Sequence, residues 1–166
     1  MPLKFSNSQE FLSKLQQYIN ILIAIPMMAF IVLFLKIENR TYHPEILNED
    51  MTFYLRIISL IGVLVMVGLG WYAFKKGISS LNTSMAIRNK LELFYSASMT
   101  RSYYFEAATF LTLIGLALTA EQLYVGFYTI CLVAFSITYP TIYRINSQLR
   151  LNKEERGLII SRKKIK

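Results

Sequence analysis

The sequence predicts an all-α polytopic membrane protein: four transmembrane helices arranged as two hairpins, with short helices on the cytoplasmic side. Three observations predict it. Residues Ile57 to Phe74 carry no charge and are followed at once by Lys75 and Lys76. In a helix, eighteen residues rise about 27 Å, close to the ~30 Å hydrocarbon thickness of a bilayer. Charged residues make up 17% of the chain and apolar residues 54%, against about 25% charged in soluble domains. Basic residues flank apolar runs, and aromatic residues cluster at the run ends, as interfacial belts do.

Residues 1 to 17 come first. Asn7 and Glu10 have capping-box spacing, and Phe11, Leu12, Leu15 and Ile19 share one helical face. A short amphipathic helix at the membrane surface fits, and a greasy extension of the first span fits better. The first span covers about residues 18–35. It lacks a small-residue cleavage site after its apolar run, so it is expected to remain as a span and not to be a signal peptide. Pro26 removes a backbone donor at its middle, so a kink is expected.

Loop one, Lys36 to Thr52, sets Lys36 and Arg40 against Glu38, Glu45, Glu49 and Asp50. His43, Glu45, Glu49 and Asp50 match no metal-site spacing, and His43-Pro44 is a turn signal. A solvated acidic loop is the expectation, with no metal. Asn39-Arg40-Thr41 is a glycosylation sequon, meaningful only in a eukaryotic secretory setting.

The second span covers about 53–74. Arg56, Ser59, Gly62, Met66 and Gly70 lie near one face, and small residues let another backbone approach closely. Ser59, Gly62 and Gly70 are therefore expected to pack. Arg56, at the outer end, either snorkels into the headgroups or aims its charge into the bundle. Loop two, Lys75 to Arg101, sets five basic residues against Glu92. Its second span is expected to run past Lys76 and break near Asn82 to Ser84. Ile87, Leu91 and Phe94 then predict a cytoplasmic helix.

The third span covers about 103–120. Ala108, Thr112, Gly115 and Thr119 form a small-residue stripe, so Ala108, Thr112 and Gly115 are expected to pack. Glu106 lies early in this span, off that stripe. An intramembrane carboxylate is a functional candidate, although the first turns of a helix also favour negative charge. Glu121 and Gln122 make a tight turn into the fourth span, about 123–143. Gly126, Thr129, Val133, Ser136 and Pro140 line one of its faces, with Gly126 expected to pack and Pro140 to bend the inner end. Cys131 reads as a small apolar filler. As the single cysteine it excludes an intramolecular disulfide and a cysteine zinc site.

The tail, 144–166, sets eight basic residues against Glu154 and Glu155. Asn152 and Glu155 again have capping-box spacing. Arg156, Arg162, Lys163 and Lys164 are expected to bind anionic lipid, at roughly 1 kcal/mol per residue. The end, Lys163 to Lys166, resembles a dilysine retrieval signal, which has no meaning in a bacterial protein.

Positive charge in loop two and the tail places both termini inside, and the expected location is the inner (cytoplasmic) membrane, multi-pass. Residues 53–82 and 123–152 share a few positions, too sparsely to assign a repeat. The charge of +8 flanks spans and lines no soluble face, so no nucleic acid is expected. His43 is the only histidine, which excludes bis-histidine haem. There is no Ser-His or Cys-His pair within the spans and no glycine-rich phosphate loop. No enzyme activity and no cofactor is therefore expected. Two functions fit. One is an accessory or scaffold subunit of a larger membrane complex, bound to larger partners or to itself. The other is a small oligomeric proton- or cation-coupled transporter or channel using Glu106.

Overall fold

The computed structural model describes residues 7–42, 44, 48–82, 85–149, 151, 155 and 157. Among these the chain forms five helices: α1 (Ser8–Glu38), α2 (Glu49–Ser79), α3 (Ile87–Thr119), α4 (Leu123–Thr138) and α5 (Ile142–Gln148). The first of them starts as the sequence predicts. The Asn7 side-chain oxygen accepts from the Glu10 backbone N–H at 2.7 Å, and Glu10 pairs with Lys14 one turn on. The helix then runs without a break through the buried Pro26. The residues before Tyr18 thus extend α1. Similarly, α3 joins the expected cytoplasmic helix and third span into one helix, with no break at Arg101. The segment expected as the fourth span is broken at Tyr139-Pro140-Thr141. A proline cannot donate to the preceding turn, and α5 restarts on a Thr141 cap whose hydroxyl accepts from the Arg144 N–H.

On length and composition, α1 and α2 can each cross a membrane, and α4 with α5 makes a third candidate if the pair is one broken span. That many apolar helices associates the chain with a membrane. By the same measure α3 falls short. Its apolar stretch is diluted by Ser102, Glu106, Thr109 and Thr112, all on its buried side.

The helices divide between two compact units. The first contains residues 1–20, 71–101 and 139–166, and the second 21–70 and 102–138. The divisions fall beside Tyr18, Trp71, Tyr72, Tyr103, Tyr104 and Tyr139, which are residues of the expected aromatic belt. We refer to the second as the apolar unit and the first as the polar unit.

In the apolar unit, Val63, Ala108 and Cys131 form one buried cluster with Met66, Val67 and Leu111 against it. Leu116, Tyr124 and Phe127 form another, covered by Phe30, Leu33 and Ile37. In the polar unit, Phe11, Leu15, Leu91, Phe94 and Leu149 are fully buried. The Phe11 ring meets Tyr95 and the Phe74 ring meets Phe94, both edge to face.

Candidate functional site

The glycines explain how the apolar unit packs. A side-chain carbon added at Gly62 would lie 2.5 Å from the Leu111 side chain, and one added at Gly70 would lie 2.8 Å from the Phe105 ring. Both α3 residues therefore rest directly on the α2 backbone. At Gly115 the space is already filled by the Tyr124 ring. Tyr124 is one of the aromatic residues at the run ends, where the sequence places an interfacial belt; it is instead fully buried, with its hydroxyl 3.4 Å from the Ser59 hydroxyl. The turn after α3 is so short that the second residue of α4 has nowhere to go but inward. Ser59, Ala108 and Thr112 are buried as well. Gly126 differs. It is exposed, with nothing within 4 Å of an added carbon, so within this chain it is not a packing site. Thr129, Val133 and Ser136 on the same face of α4 are also exposed.

Gly77, which the sequence reading passed over, makes the same kind of contact in the polar unit, 2.8 Å from the Ala97 side chain. Its spacing of seven from Gly70 was the available signal, hidden because it lies beyond Lys76.

Arg56 neither aims into the bundle nor snorkels freely. Its Nε donates to Glu121 Oε2 at 2.6 Å, and its terminal nitrogen donates to the other carboxylate oxygen. This forked pair is the planar match that guanidinium and carboxylate make. It ties the N-terminal part of α2 to the α3–α4 turn. Spacing could not reveal it, since the partners are 65 residues apart.

Glu106 is buried, 9% exposed, on the inner side of α3. That inner side is wide enough to hold both Glu106 and the small-residue stripe. Thr109 donates to the Glu106 carbonyl and Thr112 to the Thr109 carbonyl, each at 2.7 Å. The threonines thus satisfy themselves on the backbone and donate nothing to the Glu106 carboxylate. Among the described residues, Glu106 Oε2 and Tyr128 Oη have no hydrogen-bond partner. The two groups are within electrostatic range of each other. Tyr128 is held by stacking on Phe30, ring centroids 4.1 Å apart. A buried polar group without a partner costs about 1–3 kcal/mol. Among the described residues, Glu106 and Tyr128 are therefore the least satisfied place in the apolar unit.

The polar unit buries cations. Lys90 is fully buried and donates to both Glu155 oxygens at 2.8 and 2.9 Å. Arg101 is 3% exposed with its guanidinium 4.0 Å above the Phe74 ring. Burial pushes the Arg101 guanidinium down to about 10, and the positive Arg144 acts in the same direction. Arg101 stays charged at neutral pH. Sequence reasoning counted both residues as loop charge. Asn82 is described, but Thr83 and Ser84 of the expected break lie outside the described residues. So do His43 and Glu45 of the acidic loop, Asn152 of the expected tail cap, and the lipid-binding candidates Arg156, Arg162, Lys163 and Lys164. Among the described residues no three of His, Cys, Asp or Glu are grouped so as to hold a metal ion.

No protein-family model, no curated protein and no solved structure matches this chain.

Proposed function

We propose that this protein is a four-span subunit of the inner membrane, with both termini cytoplasmic, that serves a larger membrane complex as a non-catalytic accessory or scaffold. The observation that carries the reading is the division of its small residues. Gly62 and Gly70 of α2 and Gly115 of α3 are used up inside the apolar unit by Leu111, Phe105 and Tyr124, while Gly68 of α2 is exposed with nothing within 4 Å of an added carbon. The face of α4 bearing Gly126, Thr129, Val133 and Ser136 is exposed and has no such use. Between lipid-immersed helices, close van der Waals approach drives association, and small residues permit it. An outward small-residue face is thus suited to a partner helix. Gentle detergent extraction, followed by mass spectrometry of what co-purifies, tests this. Gly126→Leu is expected to release the partner while leaving the melting of the isolated chain unchanged. A complex that survives Gly126→Leu and Ser136→Leu together removes the support.

One observation favours a second reading. The Glu106 and Tyr128 oxygens without partners are suited to exchanging a proton or a small cation within the bundle. Liposomes containing this chain alone decide between the two. A proton- or cation-coupled flux abolished by Glu106→Gln selects the transporter, and no flux from the wild type selects the accessory subunit.

A further inference from the structure

A cavity of about 270 Å³ opens in the apolar unit where α1 and α3 end and α4 begins. Its inner wall is apolar: Phe34, Ile37, Leu116 and Val125. Its rim carries one anion, one cation and one amide: Glu38, Arg40 and Gln122. Arg40 and Ala120, both lining it, are the two non-glycine residues with positive φ among the described residues, at 54° and 51°.

Each of these two is the residue that closes its helix. Thr41 N–H reaches back to the Lys36 carbonyl at 2.9 Å and Arg40 N–H to that of Ile37 at 3.0 Å, which is the Schellman pattern. Ala120 N–H reaches the Leu116 carbonyl at 2.8 Å, the simpler left-handed closure. Glycine usually holds this position, because the left-handed conformation costs another residue roughly 1–2 kcal/mol. Here the strain sets a guanidinium on the rim and a methyl group in the wall. Backbone strain concentrates at sites where the surrounding structure uses it. The Tyr42 hydroxyl, donating to the Ala117 carbonyl at 2.8 Å, fastens the loop after Arg40 against α3.

We infer that this cavity is a binding site for a zwitterionic aminophospholipid. The phosphodiester lies on Arg40 with the Gln122 amide donating beside it, and the primary ammonium donates to Glu38. The start of one acyl chain follows Phe34, Ile37, Leu116 and Val125. The volume lies just below the 300–1,000 Å³ of sites for drug-sized ligands, which suits a small headgroup. The opposite charges on the rim select among headgroups. A glycerol headgroup brings no cation for Glu38. A choline headgroup cannot hydrogen-bond to it, and trimethylammonium groups are held by aromatic cages, of which Phe34 alone is too little. The inference rests on the membrane reading.

The test is native mass spectrometry of the full chain in mild detergent, given equimolar phosphatidylethanolamine, phosphatidylcholine and phosphatidylglycerol with identical acyl chains. Ethanolamine lipid is expected to be retained about ten-fold over the other two, the difference one charge-assisted hydrogen bond makes. Glu38→Gln and Arg40→Gln are each expected to abolish the preference. Both side chains are exposed, so melting should not change. Equal retention of the three lipids, preference for the glycerol lipid, or preference surviving in the double variant overturns the site. Failure of the wild type to insert into nanodiscs overturns the membrane reading instead, and is scored separately.

Discussion

The apolar and polar units bury opposite things. In the apolar unit the outside is made of Ile25, Met28, Val32, Ile58, Ile61, Leu64, Ile114 and Ile137, while serine, threonine and glutamate are inside. In the polar unit the inside is made of Phe11, Leu15, Leu91, Phe94 and Leu149. Among the described residues its exposed large hydrophobic side chains are Tyr18, Trp71, Tyr72, Ile142 and Tyr143, each within five residues of where the chain changes unit. Along α1, α2 and α3 the chain therefore follows a different packing rule in each unit. Water drives apolar side chains inward at about 25 cal/mol per Å². Lipid gives no such drive, and close helix contact with internally satisfied hydroxyls takes its place. The difference fits lipid around the apolar unit and water around the polar one.

The contrast breaks first at Gly115. If the apolar unit is held by close backbone approach, Gly115→Leu must displace the Tyr124 ring and separate Tyr124 from Ser59. Overpacking of a core costs about 1–3 kcal/mol, and this case belongs at the top of that range because the turn gives Tyr124 no second position. The expected result is a large drop in melting temperature in detergent. Gly126→Leu, on the outward face, should leave it unchanged. Equal effects at the two glycines would end the distinction between inner and outer small residues.

Second is the buried cation of the polar unit. Glu155→Gln leaves Lys90 fully buried without its carboxylate. Removing one partner of a buried pair costs about 3–5 kcal/mol, and about 2 is expected here because Glu155 is partly exposed. Hydrogen exchange should rise at Leu91, Phe94 and Leu149 while Val63 and Ala108 stay protected. Uniform loss of protection in both units would show that they open together, and the comparison would then describe surfaces only.

How much of this was legible in the sequence follows from range. Apolar period, caps and breakers act within a few residues. Asn7 with Glu10, a bend at Pro140 and small-residue contacts at Gly62, Gly70 and Gly115 could therefore be read directly, whereas the complete break at 139–141 was not. What the sequence hid depends on which helix faces which. Tyr124 resembles any belt tyrosine until the brevity of the 119–122 turn is set against Gly115. Lys90 and Arg101 resemble loop charge because their partners, Glu155 and Phe74, lie far along the chain. Glu106 was found by its chemistry, but its burial and its neighbour Tyr128 needed the fold. Gly126 shows the same limit from the other side, since a small-residue stripe does not say whether its partner is in the same chain.

The smallest expected effect is at the Arg56–Glu121 pair. It is forked and close, which favours strength, yet Arg56 is 43% exposed. Exposed ion pairs contribute little because water and salt screen them. Arg56→Ala and Glu121→Ala should therefore lower the melting temperature less than Gly115→Leu or Glu155→Gln. The double variant should match either single one, since each removes the same interaction. Salt sharpens the test. Raising ionic strength should narrow the gap between wild type and Arg56→Ala if the pair faces water beyond the headgroups. A gap that is large and indifferent to salt would place the pair in low dielectric instead. The apolar unit would then bury charge at Arg56 as the polar unit does at Lys90, and the two packing rules would no longer be separated by unit.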